Sequence, residues 1–402
     1  MRVLIYGGSF NPPHLGHGEA LRAAADALQP DRCMVIPAKM PPHKDLDENS
    51  PAPEQRLELS RLAFSDIAHA EVSDLELRRE GKSYTVFTLR EITSIYPMAE
   101  LYFLVGTDML NTIETWYRFR EIFSLCTPVA IARNEGEFSQ LETIASRLRT
   151  EYGARIVLIR KPPLPMDSTS LRECLCRREG RDRLREGVYA EIIRHRYYGA
   201  KPELAWLREK AYEWLKPSRI KHVQGCEQEA VRLAELWGTD TGDAAEAAIL
   251  HDITKKLPPE EQLRLCEKYG IITDNSEREA PGILHARTGA ALARDLFGVT
   301  DAVYHAIENH TTGCPGMELL DKILYLADFT EPTRSFEGLE RVRELTGTDL
   351  DQAMIEALKL SMEEVRSRGI KPHPRSEDTL RWLHTKEKND ESTREDGQHG
   401  EG

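Results

Sequence analysis

The segment Val3-Leu4-Ile5-Tyr6-Gly7-Gly8-Ser9-Phe10-Asn11-Pro12-Pro13-His14-Leu15-Gly16-His17 joins a short apolar run to two glycines, a proline-stiffened turn and a His-x-Gly-His sequence. Helical spacing of apolar residues follows from Gly18 to Leu28. A short apolar run bounded by turn residues reads as a buried strand, so the segment is a strand, a tight turn and the start of a helix. Glycines let the backbone pass close to a ligand, and the helix N-terminus aims free amides and a partial positive charge at an anion there. Two imidazoles at that helix start are suited to donate to phosphate oxygens, with Gly16 clearing space between them. Gly7, Gly8, Ser9 and Phe10 then form the cradle, and His14 and His17 its donors. The plain alternative is a pair of histidines that merely cap the helix.

The alternation continues outward from this segment. Val3–Tyr6, Met34–Pro37, Leu101–Val105, Val129–Ala132 and Ile156–Ile159 read as buried strands. Gly18–Leu28, Glu54–Phe64, Val86–Tyr96 and Leu141–Tyr152 carry helical spacing between them. Strand and helix in alternation imply an α/β, Rossmann-like domain with a parallel sheet covered on both faces and ligands at the carboxyl ends of its strands. After Gly199-Ala200-Lys201-Pro202 only helical periodicity remains, so an all-α domain is expected. The expected division is residues 1–199, 200–385 and a charged, apolar-poor tail, 386–402, that cannot offset the entropy of ordering and reads as disordered.

Composition narrows the function classes. A chain of 402 residues with a formal charge of −13 has no broad cationic face for nucleic acid or a membrane surface. Anionic ligands must meet small local clusters of donors. The seven cysteines are scattered without a Cys-x-x-Cys pair, which fits free thiols in a reducing compartment, and no stretch approaches the ~20 apolar residues of a membrane span. A cytoplasmic enzyme acting on small molecules is the expectation, with homo-oligomerisation left open.

Two further elements suit a polyphosphate site. Lys39, His43 and Lys44 lie in a proline-stiffened loop after the second strand, where their charges can fold over the active face. Asp167-Ser168-Thr169-Ser170-Leu171-Arg172 is a hydroxyl-rich helix start with Arg172 about one turn in. In the helical half, His222, His251-Asp252, His285, His310 and Asp328 recur along the chain. Adjacent helical residues point ~100° apart, so a His-Asp doublet makes best sense with an ion between its side chains. His222 and Asp328 complete a set for one ion, and His285 and His310 suit a second. A bridging Asp252 would hold two ions ~3.5–4 Å apart, a spacing used for attack of water on phosphorus. Imidazole with carboxylate favours iron first, then manganese or zinc, over magnesium. His195, His305 and His384 read as ordinary core histidines.

The string from Gly7 to His17, Pro41-Pro42-His43-Lys44, and Ser168-Thr169 followed by Leu171-Arg172 resemble the bacterial nicotinate-nucleotide adenylyltransferases. Ser83-Tyr84-Thr85, Gly106-Thr107-Asp108 and Trp116 follow the same family's order. The resemblance implies transfer of AMP from ATP, with its magnesium, to nicotinate mononucleotide. It places His14, His17, Ser168, Thr169 and Arg172 around the triphosphate, Lys44 among the catalytic groups and Arg133 among the substrate contacts. Asp108 would lie in the nucleotide site, Thr85 at the nicotinate carboxylate and Trp116 against the pyridine ring. The chain departs from the family at Asp167, where a serine is usual, and at Asn134, where a proline is usual. Another nucleotidyltransferase, using phosphopantetheine or a cytidine nucleotide, is the competing assignment.

In the second half, the surroundings of His222, Ala248 to Lys256, His310-Thr311-Thr312-Gly313 and Lys322 to Asp328 resemble the bacterial HD-domain family that cleaves diadenosine tetraphosphate into two ADP. That resemblance makes the six residues metal ligands and Arg219 and Lys255 phosphate contacts for a dinucleoside polyphosphate. A nucleotide-sensing module without turnover is the alternative of a different class.

Overall fold

The structure, a computed structural model, describes residues 1–42, 46, 49–132, 135–160, 166–273, 277 and 281–398. The chain divides into two compact units, Met1–Lys201 and Pro202–Gly402.

The first unit is built on a six-stranded parallel sheet in the order β3-β2-β1-β4-β5-β6. Its strands are β1 (Arg2–Gly8), β2 (Arg32–Pro37), β3 (Ala70–Val72), β4 (Glu100–Val105), β5 (Thr127–Ala132) and β6 (Val157–Arg160). Five of these match the strands expected from the sequence. The sixth, β3, is too short and too polar to announce itself: Ala70-Glu71-Val72 exists as a strand because it pairs with Cys33, Met34 and Val35. Val3, Leu4 and Ile5 are all fully buried, as expected for a central strand covered on both faces. Val3, Ile5, Ile36, Phe103 and Val105 share one core with Leu89 and Ile92 of helix α3 (Thr85–Ile95). The alternate residues Leu4, Val35 and Leu104 serve the opposite face.

The order in which strands are added reverses between the parallel neighbours β1 and β4, which leaves a crevice at their carboxyl ends, the place where such sheets bind ligands. Helix α1 (Leu15–Leu28) starts there from the β1 turn, and α2 (Pro53–Phe64) follows the β2 loop. Next come α4 (Thr107–Asn111), α5 (Phe119–Leu125), α6 (Glu135–Tyr152), α7 (Ser168–Cys176) and α8 (Glu186–His195).

The second unit is helical: α9 (Leu204–Tyr212), α10 (Pro217–Trp237), α11 (Thr241–Leu250), α12 (Pro259–Tyr269), α13 (Leu284–Phe297), α14 (Asp301–Asn309), α15 (Leu319–Thr330), α16 (Leu339–Thr346), α17 (Leu350–Ser367) and α18 (Pro374–Gln398). Helices α10, α11 and α15 pack on one another around Val223, Cys226, Ala230, Ala247, Ile323 and Ala327, all fully buried. Helix α18 runs past Lys386 into the segment read as a disordered tail. At its start there, Lys386 donates to the Asp351 carboxylate of α17 at 2.7 Å. Two of the three histidines expected in cores lie instead at the surface: His195 is paired with Glu191, and the His305 side chain is 58% exposed. All seven cysteines are free, and no helix among the described residues is long and apolar enough to cross a membrane.

Each unit owns its hydrophobic core, so fragments 1–201 and 202–402 should each fold alone, with cooperative thermal unfolding followed by circular dichroism. A fragment that melts without cooperativity would show that its core is completed by the other unit.

Candidate functional site

The first site grows from the end of β1. His14 is the N-cap of α1, and its backbone N–H donates to Nδ1 of His17 at 3.1 Å. Because that nitrogen accepts, a neutral His17 ring carries its proton on Nε2 and is a donor there. The capping role set against an anion-binding role in the sequence is thus compatible with it: the cap fixes the tautomer that anion binding needs. The two rings lie 3.7 Å apart between centroids with their planes tilted by 32°, and a Cβ on Gly16 would come within 3.1 Å of His14 Nδ1. Phe10, buried with φ of 44°, stands edge-on to His17.

The turn is held from below by Arg56 of α2, which is fully buried. Its guanidinium donates to the carbonyl of Ser9 at 2.8 Å and that of Lys39 at 3.1 Å, tying the β1 and β2 loops together. A buried guanidinium costs several kcal/mol in lost hydration unless paired, so this position is fixed by its acceptors. Tyr198 Oη donates to Asn11 Oδ1 at 2.9 Å, and Arg172 donates to the Asn11 carbonyl at 3.0 Å. Ser168 Oγ reaches the Pro12 carbonyl, which fastens the start of α7 against the same turn.

Asp167 resolves its departure from the family pattern. Its carboxylate caps α7, accepting from the N–H groups of Thr169 and Ser170 and from Ser170 Oγ. The Ser170 bonds foremost hold its pKa below the usual carboxylate value. The charge is therefore absorbed by the helix start, and those two amides are engaged in the cap. Lys39 needs correction: its ammonium donates to the carbonyl of Arg79, and its N–H to Ser83 Oγ, so it braces the loop. Lys44 and Arg133, with His43 and Asn134, lie outside the described residues.

These elements enclose a cavity of about 820 Å³ at the crevice, within the range of small-molecule sites. Gly7, Gly8, Ser9, Phe10, His14, His17, Ser168 and Thr169 line one part of it, and Thr85, Asp108 and Trp116 line it as well. Trp116 meets Phe103 edge-on, with centroids 6.3 Å apart. Glu76 also lines the cavity and was not singled out in the sequence. Burial pushes its pKa up against the hydrogen bond it accepts from Thr88 at 2.6 Å.

The second site forms where α10, α11, α13, α14 and α15 converge. Helix α11 stops at Leu250, and the chain turns through His251 and Asp252, so the doublet sits at a helix end. Nδ1 of His251, His285 and His310 lies 2.6–2.7 Å from the carbonyl three residues earlier, of Ala248, Gly282 and Ile307. A carbonyl can only accept, so each Nδ1 carries the proton and each Nε2 presents a lone pair. Nδ1 of His222 faces the Glu331 carboxylate at 3.1 Å with the same consequence.

The four Nε2 atoms and two carboxylates meet. Nε2 of His285 is 3.2 Å from that of His310 and 3.3 Å from Asp252 Oδ1. His251 Nε2 is 3.4 Å from Asp252 Oδ2, and His222 Nε2 is 3.0 Å from Asp328 Oδ1 and 4.0 Å from Asp252 Oδ2. All six residues read as ligands are thereby in one cluster, with His222, His251 and Asp328 forming one potential ion-holding group and His251, Asp252 and His310 another. Among the described residues, buried His251 Nε2 and Asp252 Oδ1 have no partner with hydrogen-bond geometry. Converging lone pairs and carboxylate oxygens repel, and a cation between them turns that repulsion into coordination. The donor set therefore fits divalent metal.

Two of the histidines are held neutral, in agreement with free lone pairs on their Nε2 atoms. Burial lowers His310 well below its ordinary value, with repulsion from His251 and His285 adding to it, and burial lowers His285. Burial alone would raise Asp252 and Asp328, but the neighbouring histidines, with Arg334 beside Asp328, hold both well below the carboxylate range. For His251 burial alone would lower the value, yet Asp252 outweighs it and raises the net. A proton and a metal cation are alternatives at that nitrogen. Arg219 forks onto Asp252 Oδ2 at 2.5–2.6 Å, Arg334 bonds Asp328 at 2.7 Å, and Lys255 Nζ lies 3.0 Å from His285 Nε2. Arg219 and Lys255, read as phosphate contacts, thus lie at the edge of the cluster. Behind it, Thr254 donates to the His285 carbonyl and Gln262 to the Thr254 carbonyl.

Fold and site together define the class: a nucleotidyltransferase-type α/β domain followed by a helical HD domain, a divalent-metal-binding phosphohydrolase fold. Residues 5–173 match the cytidylyltransferase-like family model, and residues 219–333 match the HD domain model. A Mycoplasma genitalium protein named as a probable nicotinate-nucleotide adenylyltransferase/Ap4A hydrolase is 27% identical over 89% of this chain and 97% of its own length. A probable nicotinate-nucleotide adenylyltransferase of Exiguobacterium sibiricum is 37% identical over 44% of this chain and 87% of its own length. A symmetrical bis(5'-nucleosyl)-tetraphosphatase of Bacillus subtilis is 36% identical over 44% of this chain and 97% of its own length. The chain belongs to the nicotinate-nucleotide adenylyltransferase family in its first half and to the symmetrical bis(5'-nucleosyl)-tetraphosphatase family in its second.

Proposed function

We propose that the chain is a bifunctional enzyme, with each unit carrying one reaction of adenine nucleotides. The first unit transfers AMP from ATP to nicotinate mononucleotide, giving nicotinate adenine dinucleotide and pyrophosphate. The observation that carries this reading is one cavity lined by the two-histidine turn and also by Thr85 and Trp116. A phosphate oxygen of the mononucleotide attacks the α-phosphorus of ATP, and the bond to pyrophosphate breaks. Negative charge grows on the departing pyrophosphate. The Nε2–H of His17, with His14, Ser168, Thr169 and Arg172 near the same turn, supplies donors for it, and ATP arrives as its magnesium complex. The main task left to the protein is alignment, which the Arg56 brace serves. Trp116 offers a flat face to an electron-poor ring, and Thr85 a hydroxyl to its carboxylate.

The second unit hydrolyses diadenosine tetraphosphate to two ADP. The convergence of four Nε2 atoms on Asp252 and Asp328 carries this reading. Divalent ions held there, iron foremost with manganese and zinc as alternatives, would polarise phosphate and acidify water. His222, His251, Asp252 and Asp328 would hold one ion, and His285, His310 and Asp252 the second. Asp252 would bridge them, its Oδ2 being near His222 and His251 and its Oδ1 near His285 and His310. Arg219 and Lys255 have the charge to exchange their present partners for phosphate oxygens as substrate enters.

His17→Ala should lower adenylyl transfer by about 100-fold, the effect of losing a charge-stabilising donor, with the circular dichroism spectrum unchanged. The acid mononucleotide should be strongly preferred to its amide analogue, because donors arranged for a carboxylate oppose an amide nitrogen. Equal efficiency on the two would contradict the assigned acceptor. In the second unit, Asp252→Ala should deplete metal, measured by elemental analysis, and abolish hydrolysis while adenylyl transfer continues. Chromatography of the wild-type products should give ADP alone. ATP with AMP would refute symmetric cleavage, and no cleavage by metal-loaded protein would favour a sensing module.

A further inference from the structure

Beyond the six residues read as ligands, the second unit holds a carboxylate that neither sequence reading nor those ligands account for. Glu331 follows the end of α15 and is 1% exposed. Its Oε1 faces His222 Nδ1 at 3.1 Å and accepts from Thr333 Oγ1 at 2.6 Å, while Oε2 accepts from the Thr333 N–H at 2.7 Å. The segment is pinned from outside by Arg343 of α16, whose guanidinium donates to the carbonyls of Thr330, Glu331 and Arg334 at 3.0–3.1 Å. On the opposite side, one turn along α10 from His222, Gly225 leaves room for it. A Cβ at 225 would lie 2.6 Å from Glu331 Oε2, a distance that real contacts do not show.

We infer that Glu331 is a positioning residue for the ion-binding cluster, holding His222 with its proton on Nδ1 so that Nε2 is committed to the centre, and that Gly225 exists to admit it. The inference rests on the proposal that the cluster binds divalent metal. The physical ground is general. A ligand imidazole that donates its other nitrogen to a carboxylate is fixed in ring orientation and tautomer and becomes a stronger base, and losing the carboxylate typically weakens metal binding about 10–100-fold. His222 differs here from His251, His285 and His310, which use a main-chain carbonyl of their own helical turn. Its anchor comes from 109 residues away, so the end of α15, which also carries Asp328, sets two donors of one group together.

The test uses the full chain stripped of metal and titrated with zinc against a chromophoric chelator, together with the visible spectrum of the cobalt-substituted protein. Glu331→Gln should weaken zinc binding about 10–100-fold and shift the cobalt bands, at an unchanged far-ultraviolet circular dichroism spectrum. Gly225→Ala, which keeps the carboxylate but displaces it, should reproduce both effects and decides the matter if Glu331→Gln does not fold. Wild-type zinc affinity and an unshifted cobalt spectrum in a folded variant would overturn the inference. A wild-type chain that binds no zinc or cobalt would instead overturn the metal-site reading on which it rests.

Discussion

A hydrogen bond to one nitrogen of an imidazole decides what the other nitrogen can do, and both units of this chain are arranged around that choice. In the first, Nδ1 of His17 accepts from the His14 main chain, which leaves an N–H on Nε2 for an anion. In the second, Nδ1 of His251, His285 and His310 faces a carbonyl and that of His222 a carboxylate, which leaves lone pairs on Nε2 for a cation. The same side chain is thus set to opposite tasks by the partner of its Nδ1, a nearby main-chain group for four of these histidines and the distant Glu331 carboxylate for His222. The remainder of each unit supplies rigidity and charge to that setting.

Rigidity comes from buried polar groups whose partners are fixed. Arg56 holds the β1 and β2 loops by their carbonyls, and Asp167 takes up two amides at the start of α7, so the crevice at the β1/β4 reversal has a braced floor. In the helical unit Asp252 is almost fully buried and touches His251, His285 and Arg219. Removing one partner of such a buried charge typically costs about 3–5 kcal/mol, so the cluster and the helices that carry it depend on one another.

The strongly periodic features were legible in the sequence. Val3 to Tyr6 and Leu101 to Val105 are apolar runs, α10 and α17 have clear helical spacing, and the His-x-Gly-His turn stands where a strand meets a helix. The histidines and aspartates of the helical unit were legible as a set because their residue types share one chemistry. What escaped reading depends on partners distant in sequence. β3 is a strand only through pairing with β2, Arg56 is a charge on an amphipathic helix and is buried against carbonyls of the β1 and β2 loops, and Glu331 has its partner on another helix. Lys39 looked like a free charge for phosphate and is a brace, because the acceptor that engages it, the Arg79 carbonyl, carries no sequence signal.

The tautomers themselves offer the most direct test. Long-range nitrogen–proton correlation spectra of the histidine-labelled, zinc-loaded chain, assigned by single replacements, report which ring nitrogen carries the proton. The account predicts the proton on Nε2 for neutral His17 and on Nδ1 for His222, His251, His285 and His310, with Nε2 of these four at shifts typical of metal-bound nitrogen. A His17 ring protonated on Nδ1 alone, or cluster histidines whose Nε2 keeps its proton in the presence of zinc, would contradict it.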